Sequence, residues 1–172
     1  MATNPPSLLT ADDLHLFNEG THYRLYEKLG ARPMVCDGVA GTYFAVWAPN
    51  AKGVAVIGAF SRWLPDAHPL TARGMTGVWE GFVPGLEPGE LYKLWIESRA
   101  HKGFSVDKAD PFAFRAQLPP DTASEVADLR HEWADAAWMA DRGARLALSA
   151  PISIYEVHLG SWRRSPDDPD RV

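Results

Sequence analysis

A chain of 172 residues with 46% apolar and 23% charged side chains has the composition of an ordinary folded domain, which excludes a disordered, fibrous or membrane-embedded class. Its net charge of −5, from 22 acidic and 17 basic residues without a Lys/Arg cluster, argues against nucleic acid, because neutralising phosphates needs a basic surface. The single cysteine, Cys36, allows no internal disulfide and no cysteine-based metal site.

Residues 1–11 read as a flexible leader, since Asn4-Pro5-Pro6-Ser7 has no periodicity and proline removes backbone donors. That start has neither a basic nor an apolar targeting stretch, so the expected compartment is the cytoplasm. Residues 12–33 read as a short helical lead-in. Thr10 with Asp13 has the form of a helix cap, Leu14 and Phe17 follow, Gly20 is a break, and a second start at Thr21 runs through Leu25 and Leu29 to Gly30.

From about Val39 the apolar period changes to two. Thr42 to Trp47 stops at Pro49-Asn50, and Val54 to Ile57 follows after a short turn, which reads as one strand pair. Val78 to Val83 stops at Pro84-Gly85, and Leu91 to Glu97 follows Pro88-Gly89, which reads as a second. Short strands separated by Gly/Pro turns, with no helices between them, predict a mostly β fold, an antiparallel β-sandwich over residues 34–116. Residues 117–150 read as an irregular connection with one or two short helices. Ile152 to Val157 is a strand by pattern, but no partner strand follows it before Val172, so it is expected to be an orphan with poor packing.

The chemistry-bearing patterns are few. There is no Gly-rich phosphate loop, nucleophile elbow or His/Cys ligand set, and no pair of carboxylates stands out, so neither a catalytic residue nor a metal is expected. Carbohydrate recognition asks for less: a pyranose presents a C–H face to an aromatic plane while its hydroxyls meet nearby donors. Trp63 sits at a turn just past a strand. Alternation puts Lys93 and Trp95 on one strand face, opposite Tyr92, Leu94 and Ile96, so these two point outward if the latter three face the core. Trp47 and Trp79 lie in apolar alternation and are expected in the core. Trp133, Trp138 and Trp162 are expected as domain contacts.

Phe44-Ala45-Val46-Trp47-Ala48-Pro49-Asn50-Ala51, the Gly58 to Trp63 segment, Trp79-Glu80 and Tyr92-Lys93 resemble carbohydrate-binding module family 48, an immunoglobulin-like sandwich of the early-set type. The flanks Leu16 to Gly20, Leu25 to Ala31, Lys108 to Pro111, Pro119-Pro120 and Ala150 to Trp162 are similar to bacterial 1,4-α-glucan branching enzymes. That resemblance implies that residues 151–172 open a (β/α)₈ barrel of the α-amylase superfamily. The carboxylates of its retaining reaction lie beyond Val172, so this stretch would be catalytically inert, and no cofactor is needed.

The resemblance implies an α-1,4-glucan as ligand and the catalytic barrel of the same polypeptide as partner, with no nucleic acid and no membrane. Trp63 matches the family's stacking aromatic and Lys93 its hydrogen-bonding lysine, while Trp95 either joins the site or meets the barrel. The family's Asp-Phe-Asn-x-Trp turn is Ala59-Phe60-Ser61-Arg62-Trp63 here, and residues 98–104 offer only Phe104 toward a second stacking ring. The face can therefore serve as a sugar site or as a docking face. Other origins are a debranching or trehalohydrolase-type enzyme, or a stand-alone glycogen-binding scaffold.

Overall fold

The computed structural model describes residues 7–168, which divide between Leu129 and Arg130 into two units. The first unit opens with helix α1, Ala11–Glu19. Its start is a full capping box: the Thr10 hydroxyl accepts from the Asp13 N–H at 3.1 Å, and the Asp13 carboxylate accepts from the Thr10 N–H at 2.8 Å. His22 and Lys28 also approach this carboxylate, at 2.8 and 3.2 Å. Burial alone would raise the Asp13 pKa, but these hydrogen bonds outweigh it and hold the group well below the usual carboxylate range.

After a 3-10 turn at Leu25–Glu27, nine strands follow: β1 Gly30–Cys36, β2 Val39–Trp47, β3 Ala51–Gly58, β4 Thr71–Ala72, β5 Val78–Pro84, β6 Leu91–Ser98, β7 Ser105–Lys108, β8 Arg115–Ala116 and β9 Ser124–Glu125. They form two antiparallel sheets. One has the order β1-β2-β5-β4; the other has β3-β6-β9-β8, with β7 also on β6. Inward residues of both sheets make one core, in which Phe44 and Val46 meet Val54, Val56, Tyr92 and Leu94, and the rings of Phe44 and Tyr92 cross edge to face at 5.0 Å. The expected antiparallel sandwich is therefore the observed fold.

The outer face of the first sheet has a second apolar layer. Tyr43, Ala45 and Val78 pack there with Leu9, Leu14, Phe17, Leu25 and Leu29 from the lead-in. The N-terminal segment is fastened to this face through Glu80, which is only 3% exposed and meets Tyr43 Oη at 2.7 Å, Ser7 Oγ at 2.8 Å and Arg73 Nε at 3.2 Å.

Four expectations need correction. The strand pairs are not those read from adjacency: β2 pairs with β1 and β5, while β3 pairs with β6 in the opposite sheet. The chain crosses between layers after β2, β3 and β5, while β1–β2, β4–β5, β6–β7 and β8–β9 each stay within one sheet. The sandwich is wider than 34–116, since β1 begins at Gly30 and β9 lies within the stretch expected to be irregular. Residues 7–11 of the expected leader are anchored, with Leu9 buried; residues 1–6 of it lie outside the described residues. Trp47 is 51% exposed, at the end of β2, whereas Trp79 does pack on the core.

The second unit holds helices α2, Ala136–Arg145, and α3, Leu159–Trp162. Ile152 to Val157, a strand by pattern, forms none: it has no ladder partner among the described residues and its apolar side chains are exposed. A strand exists only through hydrogen bonds to a neighbour. Trp133, Trp138 and Trp162 are exposed and make ring contacts with His131, Arg145 and Tyr155 respectively. The last four residues of the expected barrel start, 169–172, lie outside the described residues.

Candidate functional site

Two of the residues singled out from the sequence, Lys93 and Trp95, lie on the outer face of the second sheet opposite the buried Ile57 and Ala55, and Trp63 lies in the turn that follows β3. β3 ends at Gly58, where a Cβ would run into the Phe60 ring and the Leu91 carbonyl. The chain then turns tightly. The Ser61 hydroxyl accepts from the Gly58 N–H and donates to its carbonyl, both at 3.2 Å, and the Trp63 N–H donates to the same carbonyl at 2.8 Å. Ser61 is thus the latch of the turn.

Closing the turn forces two bulky residues into the left-handed region, Arg62 at φ 54° and Trp63 at φ 59°. Each costs about 1–2 kcal/mol relative to an ordinary conformation. Trp63 is left 43% exposed.

On β6 the alternation holds. Tyr92 and Leu94 are in the core, while Lys93 and Trp95 are partly exposed on the other face. Lys93 stands opposite Ile57, and Trp95 stands between Ala55 of β3 and Asp107 of β7. Gly58 pairs with Tyr92, the neighbour of Lys93, so the hydrogen bond from Trp63 to Gly58 brings Trp63 and Lys93 to the same end of the β3–β6 pair. Trp95 lies one side-chain repeat, about 7 Å, further along, beside Gly53, where an added Cβ would sit 3.8 Å from its ring. The Lys93 ammonium has no hydrogen-bond or ion partner among the described residues. Asp107 was not singled out from the sequence; its place beside Trp95 comes from the return of β7 onto β6, for which the only local signal is the turn at Gly103.

The arrangement offers an aromatic ring at a turn, an unpaired ammonium and a second indole along one face. The two most buried acids are saturated: Glu80 as above, and Asp110, which accepts from Tyr92 Oη at 2.7 Å and the Phe112 N–H at 2.8 Å. Burial pushes the Asp110 pKa up despite these bonds. No group of three or more metal-ligating side chains occurs among the described residues, and no helix among them is long and apolar enough to cross a membrane.

A sheet face with a half-exposed ring and an unpaired ammonium at one end is the arrangement of a small-ligand or docking module. The chain belongs to the carbohydrate-binding module 48 family (isoamylase N-terminal domain), whose model matches residues 28–113. It is similar to the 1,4-alpha-glucan branching enzyme GlgB of Rubrobacter xylanophilus, 53% identical over 94% of this chain and 22% of that protein. The enzyme of the same name from Paramagnetospirillum magneticum is 52% identical over 96% of this chain and 22% of its own. The chain thus spans about a fifth of the length of the curated relatives it matches. Among solved structures, apo pullulanase of Klebsiella pneumoniae matches 61% of this chain and 11% of its own at 24% identity, with a TM-score of 0.48.

Proposed function

We propose that this chain is the N-terminal glucan-binding and positioning part of a 1,4-α-glucan branching enzyme, which cleaves α-1,4 bonds and re-forms them as α-1,6 branches in glycogen. The observation that carries the reading is the extent of the likeness: about half the residues are identical to branching enzymes over nearly the whole chain, flanks included, where the module accounts only for residues 28–113. A debranching or scaffold origin would leave the flanks from Leu16 and up to Trp162 without a reason. Residues 151–172 are then the opening of the catalytic barrel, whose absent neighbours would cover Ile152, Ile154 and Tyr155. The compartment is the cytoplasm, where glycogen is made.

In this reading Trp63 stacks on a glucose ring, Lys93 donates to its hydroxyls and Trp95 extends the contact to the next sugar. The left-handed turn supports the assignment, because a bulky residue held there at a cost suits a position kept for what its side chain touches. The test is titration of maltoheptaose into the chain and into its Trp63→Ala variant. Binding that weakens at least threefold in the variant is expected, the loss of one ring stack. Equal affinity in both would remove Trp63 from the site. The enzyme assignment is tested separately with the full-length protein, which must lower the iodine colour of amylose by adding branches; hydrolysis of existing branches instead would overturn it.

A further inference from the structure

Arg32 stands in β1, opposite Tyr43, at the edge of the first sheet. Its guanidinium is partly buried and has no ion partner among the described residues. The two acids whose charges reach it are already used. Glu27 is paired with Arg24, and the Asp110 carboxylate accepts from Tyr92 Oη and the Phe112 N–H. Burial pushes the Arg32 pKa down, since Glu27 and Asp110 act on it only from a distance and do not make up for the lost water.

The guanidinium is nevertheless held in one orientation. Its Nε–H and one Nη2 N–H donate to the Leu29 carbonyl at 3.3 and 3.2 Å, and its central carbon lies 4.6 Å from the centre of the Phe114 ring. The chain leading to Phe114 is itself fixed. The Phe112 and Ala113 N–H groups donate to Asp110 at 2.8 and 3.1 Å, and a Cβ added at Gly30 would come within 2.7 Å of the Phe112 carbonyl oxygen. Two bonds on one edge of the guanidinium leave the other edge free: both Nη1 N–H groups and the second on Nη2 have no acceptor among the described residues. That edge is the fork that holds a carboxylate through two parallel hydrogen bonds.

The setting is that of a protein interface. Phe114 is 38% exposed beside the fork, and arginine and aromatic side chains are the enriched anchors of such surfaces. The position is also close to where the chain leaves the module. Phe114 immediately precedes β8, β8 pairs with β9, and β9 ends at Glu125, just short of Leu129, the last residue of the first unit. Arg115, next to Phe114, already has its own acid in Glu125 at 2.9 Å, which leaves the fork of Arg32 for a group from outside. This chain covers 22% of the length of the Rubrobacter relative, so in the proposed function a large surface is tethered nearby.

We propose that Arg32 is a docking anchor of the module, and that its free fork receives an Asp or Glu carboxylate from the catalytic barrel that follows Val172 in the parent protein. The proposal rests on the reading of this chain as the front part of a barrel enzyme. It accounts for a positive charge held partly out of water on the module, because the group that offsets the desolvation belongs to another part of the polypeptide.

One substitution at two chain lengths tests it. Arg32→Met keeps an unbranched stem beside Phe114 and removes the charge. Hydrogen exchange is read at the amides of Ala113 and Gln117, both closed by internal hydrogen bonds. In the 172-residue chain the substitution should change their exchange by less than about twofold. In the full-length protein, where it strands the partner carboxylate, they should exchange about tenfold faster or more. Arg32→Lys keeps a charge without the fork and should recover only part of that protection. Equal quickening at both lengths would make Arg32 an internal brace and overturn the proposal, as would no change at either length. A length-dependent effect in a full-length protein that hydrolyses branches rather than adding them would support the anchor and overturn only the branching assignment.

Discussion

Replacing Arg62 with glycine should stabilise the protein, although it deletes a whole side chain. Arg62 lies at φ 54°, is exposed, and its guanidinium has no partner among the described residues. The left-handed conformation costs a non-glycine residue about 1–2 kcal/mol. Glycine removes that cost but adds about 0.5–1 kcal/mol of unfolded-state entropy. The net expectation is a gain of about 0.5–1 kcal/mol for Arg62→Gly. Arg62→Ala keeps the strain and should be neutral. Urea unfolding of the three proteins with a common m-value measures this directly. The order expected, Gly above Ala, reverses the usual one. Since the turn keeps its shape, maltoheptaose affinity should stay within about twofold. An Arg62→Gly variant less stable than Arg62→Ala would show that the turn is not left-handed in solution, and the support it lends to Trp63 would fall with it.

Glu80→Ala should cost about 3 kcal/mol or more, because the buried Tyr43 hydroxyl and the Arg73 guanidinium would both lose their carboxylate; thermal unfolding of Glu80→Gln beside it separates charge from shape. Ser61→Ala should cost about 1–3 kcal/mol by leaving the Gly58 N–H unpaired, and should weaken glucan binding as Trp63 loses its anchor, a double effect readable by unfolding and titration of one sample. The Asp13 carboxyl has a depressed pKa in the folded state, so its stabilisation is complete above the ordinary value of 3.8 and is lost as pH falls below it. The stability gap between the wild type and Asp13→Asn should therefore shrink on acidification below pH 3.8, and a gap that widens there would contradict the capping box as drawn. Lys93→Ala should weaken maltoheptaose binding about three- to tenfold without changing the unfolding midpoint, because its ammonium has no partner to lose.

Much of the placement of the candidate residues was legible because strand alternation is local. Once Tyr92 and Leu94 are placed inward, the pleat sends Lys93 and Trp95 to the other face, whatever the sheet is paired with. The helix cap at Thr10 and Asp13 was legible for the same reason, its partners being three residues apart. Trp47 was misplaced because alternation says which side a residue faces but not whether anything lies over that side. At the end of β2 its ring meets Phe17 edge to face at 5.7 Å and is otherwise left half exposed.

The sequence by itself determined the β-rich class, the outward set on β6, the turn that carries Trp63 and the family likeness, all of which depend on neighbours within a few residues or on residue order alone. The tertiary structure decided the rest: that β2 and β3 belong to opposite sheets, that the lead-in covers the outer face of one sheet, that Arg62 and Trp63 are left-handed, and that Phe104 shares a pocket with Asn50. Each of these depends on which distant surface a strand buries, and an apolar side chain carries no mark of the partner it will meet.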